Sequence, residues 1–303
     1  ELIKKKNLKY YLKNEKIDLV LAEYGLSGSN NLDIFKELKI PLIVHFHGGD
    51  TVIDTILASF GEKYKFMFSQ ASYVVAVSED MKNDLIKLGA NPDKTIINPY
   101  GPQLQFSELN PGFKNPRFLF VGRFVDKKAP YYLLLSLKEA LKQVPDIKLD
   151  MIGDGPLLNS CNNLAKSLNL EKHVIFHGNI EHSKLPPYFM KACCYVQHSV
   201  VANNGDSEGT PNSILEAEAS GLPVISTFHK GIKQAVVHQK TGYLVPEHDV
   251  KGMAQYMVKI ATNLDRAKEM GSVARDYVNR NFSIDRHVNK IYQLIKKAIV
   301  EKE

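Results

Sequence analysis

The stretch EGTPNSILEAEASGLPV (residues 208–224) predicts a loop, a short helix and the beginning of a strand. Thr210 suits the N-cap, because its hydroxyl can accept from an unpaired amide, and Pro211 suits the first helical position, where a missing N–H costs nothing. Gly221 permits a left-handed helix end. We therefore expect a helix over residues 211–220, followed by a buried strand of a parallel α/β sheet.

The same alternation of short apolar strands and helical patterns runs through both halves of the chain. Strands are predicted at residues 17–23, 41–47, 72–78 and 94–100, and then at 117–122, 147–153, 173–178, 193–199, 223–227 and 242–246. A polar segment at 101–116, with Pro and Gly, interrupts the rhythm and predicts an interdomain linker. We therefore expect two α/β domains with parallel sheets that face each other across a ligand-binding cleft.

The predicted boundaries are a partial N-terminal domain at residues 1–108, a second domain at 109–280 and a terminal helix at 281–303. This last helix is expected to pack back on the first domain. The chain begins without Met, in a helix that leads into a strand, so we expect the natural N-terminus to lie upstream.

Charge and cysteine content restrict the partners and the compartment. The 303 residues carry a net charge of +6, which favours anionic partners such as nucleotide phosphates, acidic lipids or nucleic acid. A solvated lysine-rich surface explains the same excess, and no motif supports nucleic-acid binding. The 3 cysteines argue against a disulfide framework and for a reducing compartment. We see no membrane-spanning run and no signal peptide, and expect a cytoplasmic protein.

The loop VGRFVDKKAP (residues 121–130) follows the first strand of the second half. Gly122 allows close backbone approach, Arg123 offers a planar set of donors, and Lys128 adds a charge at the next helix. Together they suit a diphosphate, although an ordinary solvated loop would have the same composition.

The segment GDSEGTPNS (residues 205–213) precedes the helix predicted above. Amides from Gly209 to Asn212 would project from a helix N-terminus, where phosphate binds favourably. Glu208 would repel phosphate and is better matched to neutral hydroxyls, whereas Glu216 could accept both vicinal hydroxyls of a ribose. Two solvent-exposed surface glutamates are the alternative interpretation.

The stretch HFHGGD (residues 45–50) ends a strand of the first half. His45 and His47 point to the same side of that strand, which raises a zinc site, but no third and fourth ligand at suitable spacing appears, so no metal site is expected. His47, with Gly48, Gly49 and Asp50, is interpreted as a polar rim that contacts a bound sugar or acceptor. A structural histidine is the alternative.

Two further observations concern the base and the reaction. Gly178 and Asn179 end another strand, where backbone groups could contact a nucleobase edge. No Walker loop, no G-x-S-x-G elbow and no Asp-x-Asp metal motif is present. We therefore expect a metal-independent reaction without a cofactor, in which Arg123, Lys128 and a helix dipole stabilise a leaving diphosphate.

Taken together, these motifs resemble the GT-B retaining glycosyltransferases of family 4. The resemblance rests on VGRF…KK, on GDGP (153–156), on NGDSEGTPNSILEAEASGLPVIST and on TGYLVPEHD in the second half. PLIVHFHGGD and the segment SYVVAVSED…NPYG carry it in the first. It implies two Rossmann-like domains, an acceptor-side domain followed by a donor-binding domain, and transfer of a sugar with retention of configuration.

The resemblance also implies a role for each site residue. Glu208 would contact hydroxyls of the donor sugar, Glu216 would bind the ribose, and Arg123 with Lys128 would hold the diphosphate. His47 would lie near the sugar on the acceptor side. The sugar–phosphate pocket would be lined by Gly209, Thr210, Pro211 and Asn212. The donor would be a nucleoside diphosphate sugar, and the acceptor a glycan or a lipid-linked acceptor. Separately, the basic charge and amphipathic helices suggest binding to an anionic membrane surface, with ordinary surface lysines as the alternative.

The sequence departs from this family in three places. The usual first strand and glycine-rich loop have no counterpart before residue 1, Lys128-Ala129 replaces a usual Lys-Gly, and Gln234 stands where a glutamate is usual. Two other functions therefore stay open. The chain could be a nucleotide-sugar epimerase or hydrolase on the same scaffold, or a non-catalytic nucleotide-sugar-binding module.

Overall fold

The computed structural model describes residues 2–301, which form two compact units. The first unit contains the chain up to Pro99, the short segment Asn203–Gly209 and the residues from Asp285 onward. The second contains Tyr100–Ala202 and Thr210–Ile284. The chain therefore crosses between the units four times, at residues 99/100, 202/203, 209/210 and 284/285.

The first unit is a four-stranded parallel sheet with helices between the strands. Its elements are α1 (Leu2–Asn14), β1 (Val20–Glu23), α2 (Gly25–Asn30), α3 (Leu32–Glu37), β2 (Leu42–His45), α4 (Asp54–Gln70), β3 (Tyr73–Ala76), α5 (Glu79–Lys87) and β4 (Thr95–Ile97). The strand order is β1-β2-β3-β4, and Glu23 pairs in register with His45. The carboxyl ends of β1 and β2 are therefore side by side.

The second unit is a six-stranded parallel sheet covered by helices. Its elements are α6 (Leu104–Ser107), β5 (Arg117–Val121), α7 (Pro130–Ala140), β6 (Lys148–Ile152), α8 (Leu158–Ser167), β7 (Val174–Gly178), α9 (Pro186–Lys191), β8 (Cys194–Val196), α10 (Asn212–Ala219), β9 (Val224–Thr227), α11 (Ile232–Ala235), β10 (Gly242–Val245), α12 (Val250–Ala261) and α13 (Leu264–Asn281). The strand order is β10-β9-β8-β5-β6-β7. The chain adds β6 and β7 on one side of β5 and β8 to β10 on the other, and doubly wound sheets bind ligands at such a switch point.

The last helix, α14 (Ile284–Val300), packs on the sheet of the first unit. Its Leu294 and Ala298 are buried against Ile43 and Val75 of that sheet. The sequence of α14 alternates these apolar positions with lysines at helical spacing, so one face is apolar and the other is solvated.

All ten predicted strands are present, but two details of the sequence interpretation are wrong. Helix α10 begins at Asn212, and the residue before it is Pro211 in extended conformation, so Thr210 is not the N-cap. The segment 101–116 is not a free linker, because α6 lies within it and its Phe106 is fully buried in the second unit. Gly221 does end α10 with φ 82°, as expected.

Among residues 2–301, no helix is both long enough and apolar enough to span a bilayer. All three cysteines are buried as free thiols.

Candidate functional site

A cavity of about 510 Å³ opens in the second unit at the carboxyl ends of β5, β6 and β7. Its wall contains Arg123 from the first of these loops and Asn179 from the third, both predicted from sequence. The cavity is further lined by Val121, Gly122, Ile152, Gly153, Asp154, Gly155, Ile180, His182 and Leu185. Gly178 lies directly before this wall and has φ 66°, which only glycine adopts easily.

Close backbone packing between two loops shapes this cavity. A Cβ on Gly153 would lie 2.0 Å from the carbonyl oxygen of Gly122, so no side chain fits there. The Gly153 amide donates to the carbonyl of Gly178 at 2.8 Å, which joins the β6 and β7 loops. The glycines of VGRF and GDGP are therefore needed to bring three strand ends together.

Lys128 belongs to a buried polar network below the start of α10. The side chain of Lys128 is 9% exposed, and its Nζ lies 3.3 Å from Gln197 Oε1. Ser213, in the first turn of α10, donates to the same oxygen at 3.4 Å, and the hydroxyl of Tyr195 lies 2.8 Å from Ser213 Oγ. Gln197 thus connects the Lys128 ammonium to the N-terminus of α10. The positive charge of Lys128 therefore lies close to the positive end of the helix dipole.

Residue 129 has a backbone conformation that favours glycine. Ala129, between Lys128 and α7, has φ 36° and ψ 52°, in the left-handed region. An alanine is strained there, whereas a glycine would not be. This conformation accounts for the Lys-Gly that the resemblance led us to expect at this position.

Glu216 is a buried carboxyl group with one close partner. It is 6% exposed, and its Oε1 lies 2.8 Å from Nε2 of His182. Burial raises the pKa of Glu216, and His182 opposes that shift only in part. Of this pair, His182 lines the cavity, and Glu216 contacts the cavity wall through its bond to His182.

Sequence reasoning did not identify His182, although it lies in the loop after β7 that supplied Gly178 and Asn179. Its position four residues past a strand end was the available signal. His182 is also held edge-to-face against Phe106, with ring centroids 5.2 Å apart. A ring with its orientation fixed in this way keeps Nε2 directed at Glu216.

The segment Asn203–Gly209, which ends three residues before α10, belongs to the first unit and not to the second. The Asp54 amide donates to the carbonyl of Asn204 at 3.1 Å, and a Cβ on Gly205 would lie 2.5 Å from the carbonyl oxygen of Val52. Gly209 lies against Val77 and against the carbonyl of His47. Glu208, which is 8% exposed, is therefore held next to the HFHGGD loop, while Thr210 and Asn212 belong to the second unit.

Asp50 is buried, and its carboxylate holds the HFHGGD loop in shape through hydrogen bonds from backbone amides. Asp50 is 3% exposed, and its carboxylate accepts from the amides of Gly25 at 2.9 Å, His47 at 3.3 Å and Gly48 at 3.1 Å. Gly48 has φ 151°, which favours glycine. The carboxylate of Asp50 is thus occupied by backbone amides, and a contact between Asp50 and a sugar or acceptor stays a prediction.

His47 lies beside Glu23 at the end of β1. His47 Nε2 is 2.5 Å from Glu23 Oε2, and the same oxygen is 3.3 Å from Nδ1 of His45. Burial, reinforced by the neighbouring His47 and His287, lowers the pKa of His45 to about 3. Glu23 was not identified from sequence, because its proximity depends on the register between β1 and β2.

Two family models match the chain. The model described as "Glycosyl transferases group 1" matches residues 103–277, and "Glycosyltransferase Family 4" matches residues 2–105.

Two of the curated relatives are named for polysaccharide synthesis. The amylovoran biosynthesis glycosyltransferase AmsK of Erwinia amylovora is 27% identical over 249 residues, which are 80% of this chain and 61% of AmsK. The putative colanic acid biosynthesis glycosyltransferase WcaL of Escherichia coli is 25% identical over 289 residues, 92% of this chain and 71% of WcaL. The chain thus spans about two thirds of the length of these relatives.

Solved structures share the fold at lower identity. Anabaena HepE in complex with UDP has a TM-score of 0.82 and 17% identity, over 97% of this chain and 82% of HepE. Sucrose-phosphate synthase from Thermosynechococcus elongatus has a TM-score of 0.83 and 22% identity, over 98% of this chain and 77% of that protein. The fold is that of GT-B glycosyltransferases. With one family model covering more than half of its length and a second covering most of the remainder, the chain belongs to the family 4, group 1 glycosyltransferases.

Proposed function

We propose that this chain transfers a sugar from a nucleoside diphosphate sugar to a glycan or lipid-linked acceptor in the synthesis of a cell-surface polysaccharide. The observation that carries this proposal is the cavity of about 510 Å³ at the strand ends of the second unit, beside the buried Glu216 and its His182 partner. Family membership, relatives named for polysaccharide synthesis and a HepE structure with bound UDP support it.

In this proposal the second unit binds the nucleotide. Glu216 accepts the ribose hydroxyls in place of His182, and Gly178 and Asn179 contact the base. Arg123 lines the cavity as an exposed guanidinium and binds the diphosphate in bidentate fashion. Lys128 and the backbone amides of Thr210 and Asn212, at the start of α10, add positive charge at the same place.

The first unit supplies the sugar contacts. Gly209, the residue after Glu208, lies close to His47: a Cβ on Gly209 would be 3.5 Å from the His47 carbonyl oxygen. In our proposal, Glu208 accepts from hydroxyls of the donor sugar, and His47 hydrogen-bonds to the sugar near the reacting carbon. Gly48 and Gly49 shape the acceptor side, where a Cβ on Gly49 would meet Ile53 at 2.7 Å.

We propose a retaining, metal-independent reaction. The bond between the sugar's anomeric carbon and the diphosphate oxygen breaks, and the acceptor oxygen bonds to the same face of that carbon. The acceptor's proton passes to the departing diphosphate. Lys128, Arg123 and the N-terminus of α10 stabilise the charge that develops on that leaving group, since preorganised donors act most strongly away from bulk water.

The proposed location is the cytoplasmic face of an anionic membrane. Helix α1 presents Ile3, Tyr10 and Tyr11 to solvent, with exposed fractions of 75%, 71% and 57%, between several lysines. Aromatic and basic side chains on one helix favour the interface of anionic bilayers. Co-sedimentation should be stronger with anionic than with neutral vesicles and should weaken when Tyr10 and Tyr11 are both changed to Ser. Equal sedimentation with both vesicle types would contradict this location.

Product analysis tests the proposed activity against its alternatives. Incubation with candidate nucleotide sugars and a polyprenyl-linked acceptor should give a glycosylated product, with only slow release of free sugar when the acceptor is omitted. Glu208→Gln should abolish transfer while nucleotide binding persists. Rapid hydrolysis or epimerisation without acceptor would favour the second class of function, and failure to bind any nucleoside diphosphate would refute the proposal.

A further inference from the structure

Three potential metal ligands meet at the end of the first sheet. Glu23 ends β1, His45 ends β2 and His47 follows two residues later. Their ligand atoms all lie within 4.8 Å of one another. Across residues 2–301, no other group of three or more His, Cys, Asp or Glu side chains is gathered in this way.

The backbone fixes this arrangement. Parallel pairing puts Glu23 directly beside His45, and the two-residue period of an extended chain directs His45 and His47 to the same side. Glu23 Oε2 lies 3.3 Å from Nδ1 of His45 and 2.5 Å from Nε2 of His47, and the two imidazole centroids are 4.5 Å apart. A small outward rotation of the Glu23 side chain, which is 51% exposed, would admit an ion between the three groups.

The donor set selects the kind of ion. Two imidazoles and one carboxylate suit borderline divalent ions such as Zn²⁺ and Co²⁺, whereas Mg²⁺ prefers an all-oxygen shell. Three protein ligands leave a fourth tetrahedral position for water or for a hydroxyl. The sequence lacked a third ligand at a recognisable spacing, and the register between β1 and β2 supplies it.

We propose that Glu23, His45 and His47 form a three-ligand site for Zn²⁺ or Co²⁺, and that occupancy of this site inhibits sugar transfer. The inhibitory role rests on the proposed function, because a bound ion would occupy Nε2 of His47 and prevent its hydrogen bond to the sugar. The binding itself does not depend on that function.

Metal binding is tested without substrate. Equilibrium dialysis of the purified chain should give one Zn²⁺ per chain and no Mg²⁺, and Co²⁺ should give the visible absorption of a tetrahedral N/O site. Glu23→Gln and His47→Gln should each weaken Zn²⁺ binding by at least about 10-fold, because even loss of an outer-shell partner costs that much. His173→Gln is the matched control, since His173 hydrogen-bonds to a backbone carbonyl in the second unit.

Two outcomes of the dialysis would overturn the site: no stoichiometric Zn²⁺, or equal affinity in wild type and both variants. Circular dichroism of Glu23→Gln and His47→Gln confirms that each is folded, and His45 is left unchanged because it is buried.

Inhibition is tested separately by transfer assays across a Zn²⁺ titration, each variant being compared with its own metal-free rate. Wild type should lose activity over the concentration range in which dialysis shows binding, and Glu23→Gln should need at least about 10-fold more Zn²⁺ for the same fractional loss. Bound Zn²⁺ with undiminished transfer would overturn the inhibitory role, while absence of transfer even without metal would refute the proposed function.

Discussion

The most informative single substitution is Glu218→Gln, in the helix that carries Glu216. Glu218 is 0% exposed, and no hydrogen bond of normal geometry reaches either of its carboxyl oxygens. Burial raises its pKa well above the usual 4.5, and the hydroxyl of Thr241 opposes that shift only weakly. We therefore predict that folding favours the neutral acid form of Glu218 and that unfolding makes its proton easier to release.

The sign of the pH dependence follows from this release. Because the pKa is higher in the folded state, the unfolded chain binds fewer protons between the two pKa values, and the free energy of unfolding falls as pH rises there. The slope is at most about 1.4 kcal/mol per pH unit, so two pH units between the two pKa values cost at most about 2.7 kcal/mol. At about 2–4 °C per kcal/mol for a unit of this size, this upper limit corresponds to a fall in Tm of at most about 10 °C.

The assay is calorimetric melting of wild type and Glu218→Gln at matched pH values. The Tm of the variant relative to wild type should rise steadily with pH, whatever fixed cost the buried amide imposes. The exposed Glu171→Gln serves as the control and should track wild type. A difference between Glu218→Gln and wild type that does not change with pH would show that Glu218 does not fold as a neutral acid.

Three further substitutions address the site and its scaffold. Lys128→Met should weaken nucleoside diphosphate binding by about 1.5–3 kcal/mol but leave nucleoside binding unchanged, as measured by calorimetry; equal losses for both would contradict a diphosphate role. Gly153→Ala should lower the free energy of unfolding by at least about 3 kcal/mol, because its Cβ would lie 2.0 Å from a carbonyl oxygen, whereas Gly61→Ala has open space and should not destabilise. Asp50→Asn should lower the free energy of unfolding by about 1–3 kcal/mol, because it leaves the loop amides poorly paired; a melting curve identical to wild type would contradict that role.

The strands were predictable because each is a short apolar run bounded by turn residues, and such runs in a parallel sheet are buried on both faces. The loops at the carboxyl ends of β5, β6 and β7 followed from the same pattern, and the cavity found there contains Arg123 and Asn179. Local sequence was sufficient for these features because adjacent residues along the chain determine them.

The features that sequence did not predict depend on contacts between distant residues. Glu23 reaches His47 through strand register, and His182 reaches Glu216 across the fold. Glu208 belongs to the first unit because its neighbours pack on the loop after β2, although α10 of the second unit begins only four residues later. Glu218 was not singled out because a glutamate on a helix is ordinarily solvated.

The central claim is that the strand-end cavity of the second unit binds a nucleoside diphosphate through Glu216. Its most direct test is calorimetric titration of wild type, Glu216→Gln and Glu218→Gln with UDP and with GDP. We predict that one nucleotide binds wild type, that Glu216→Gln weakens it by about 10- to 100-fold, and that Glu218→Gln, two residues away on the same helix, leaves it nearly unchanged. Undiminished affinity in Glu216→Gln, or no binding to wild type, would contradict the claim.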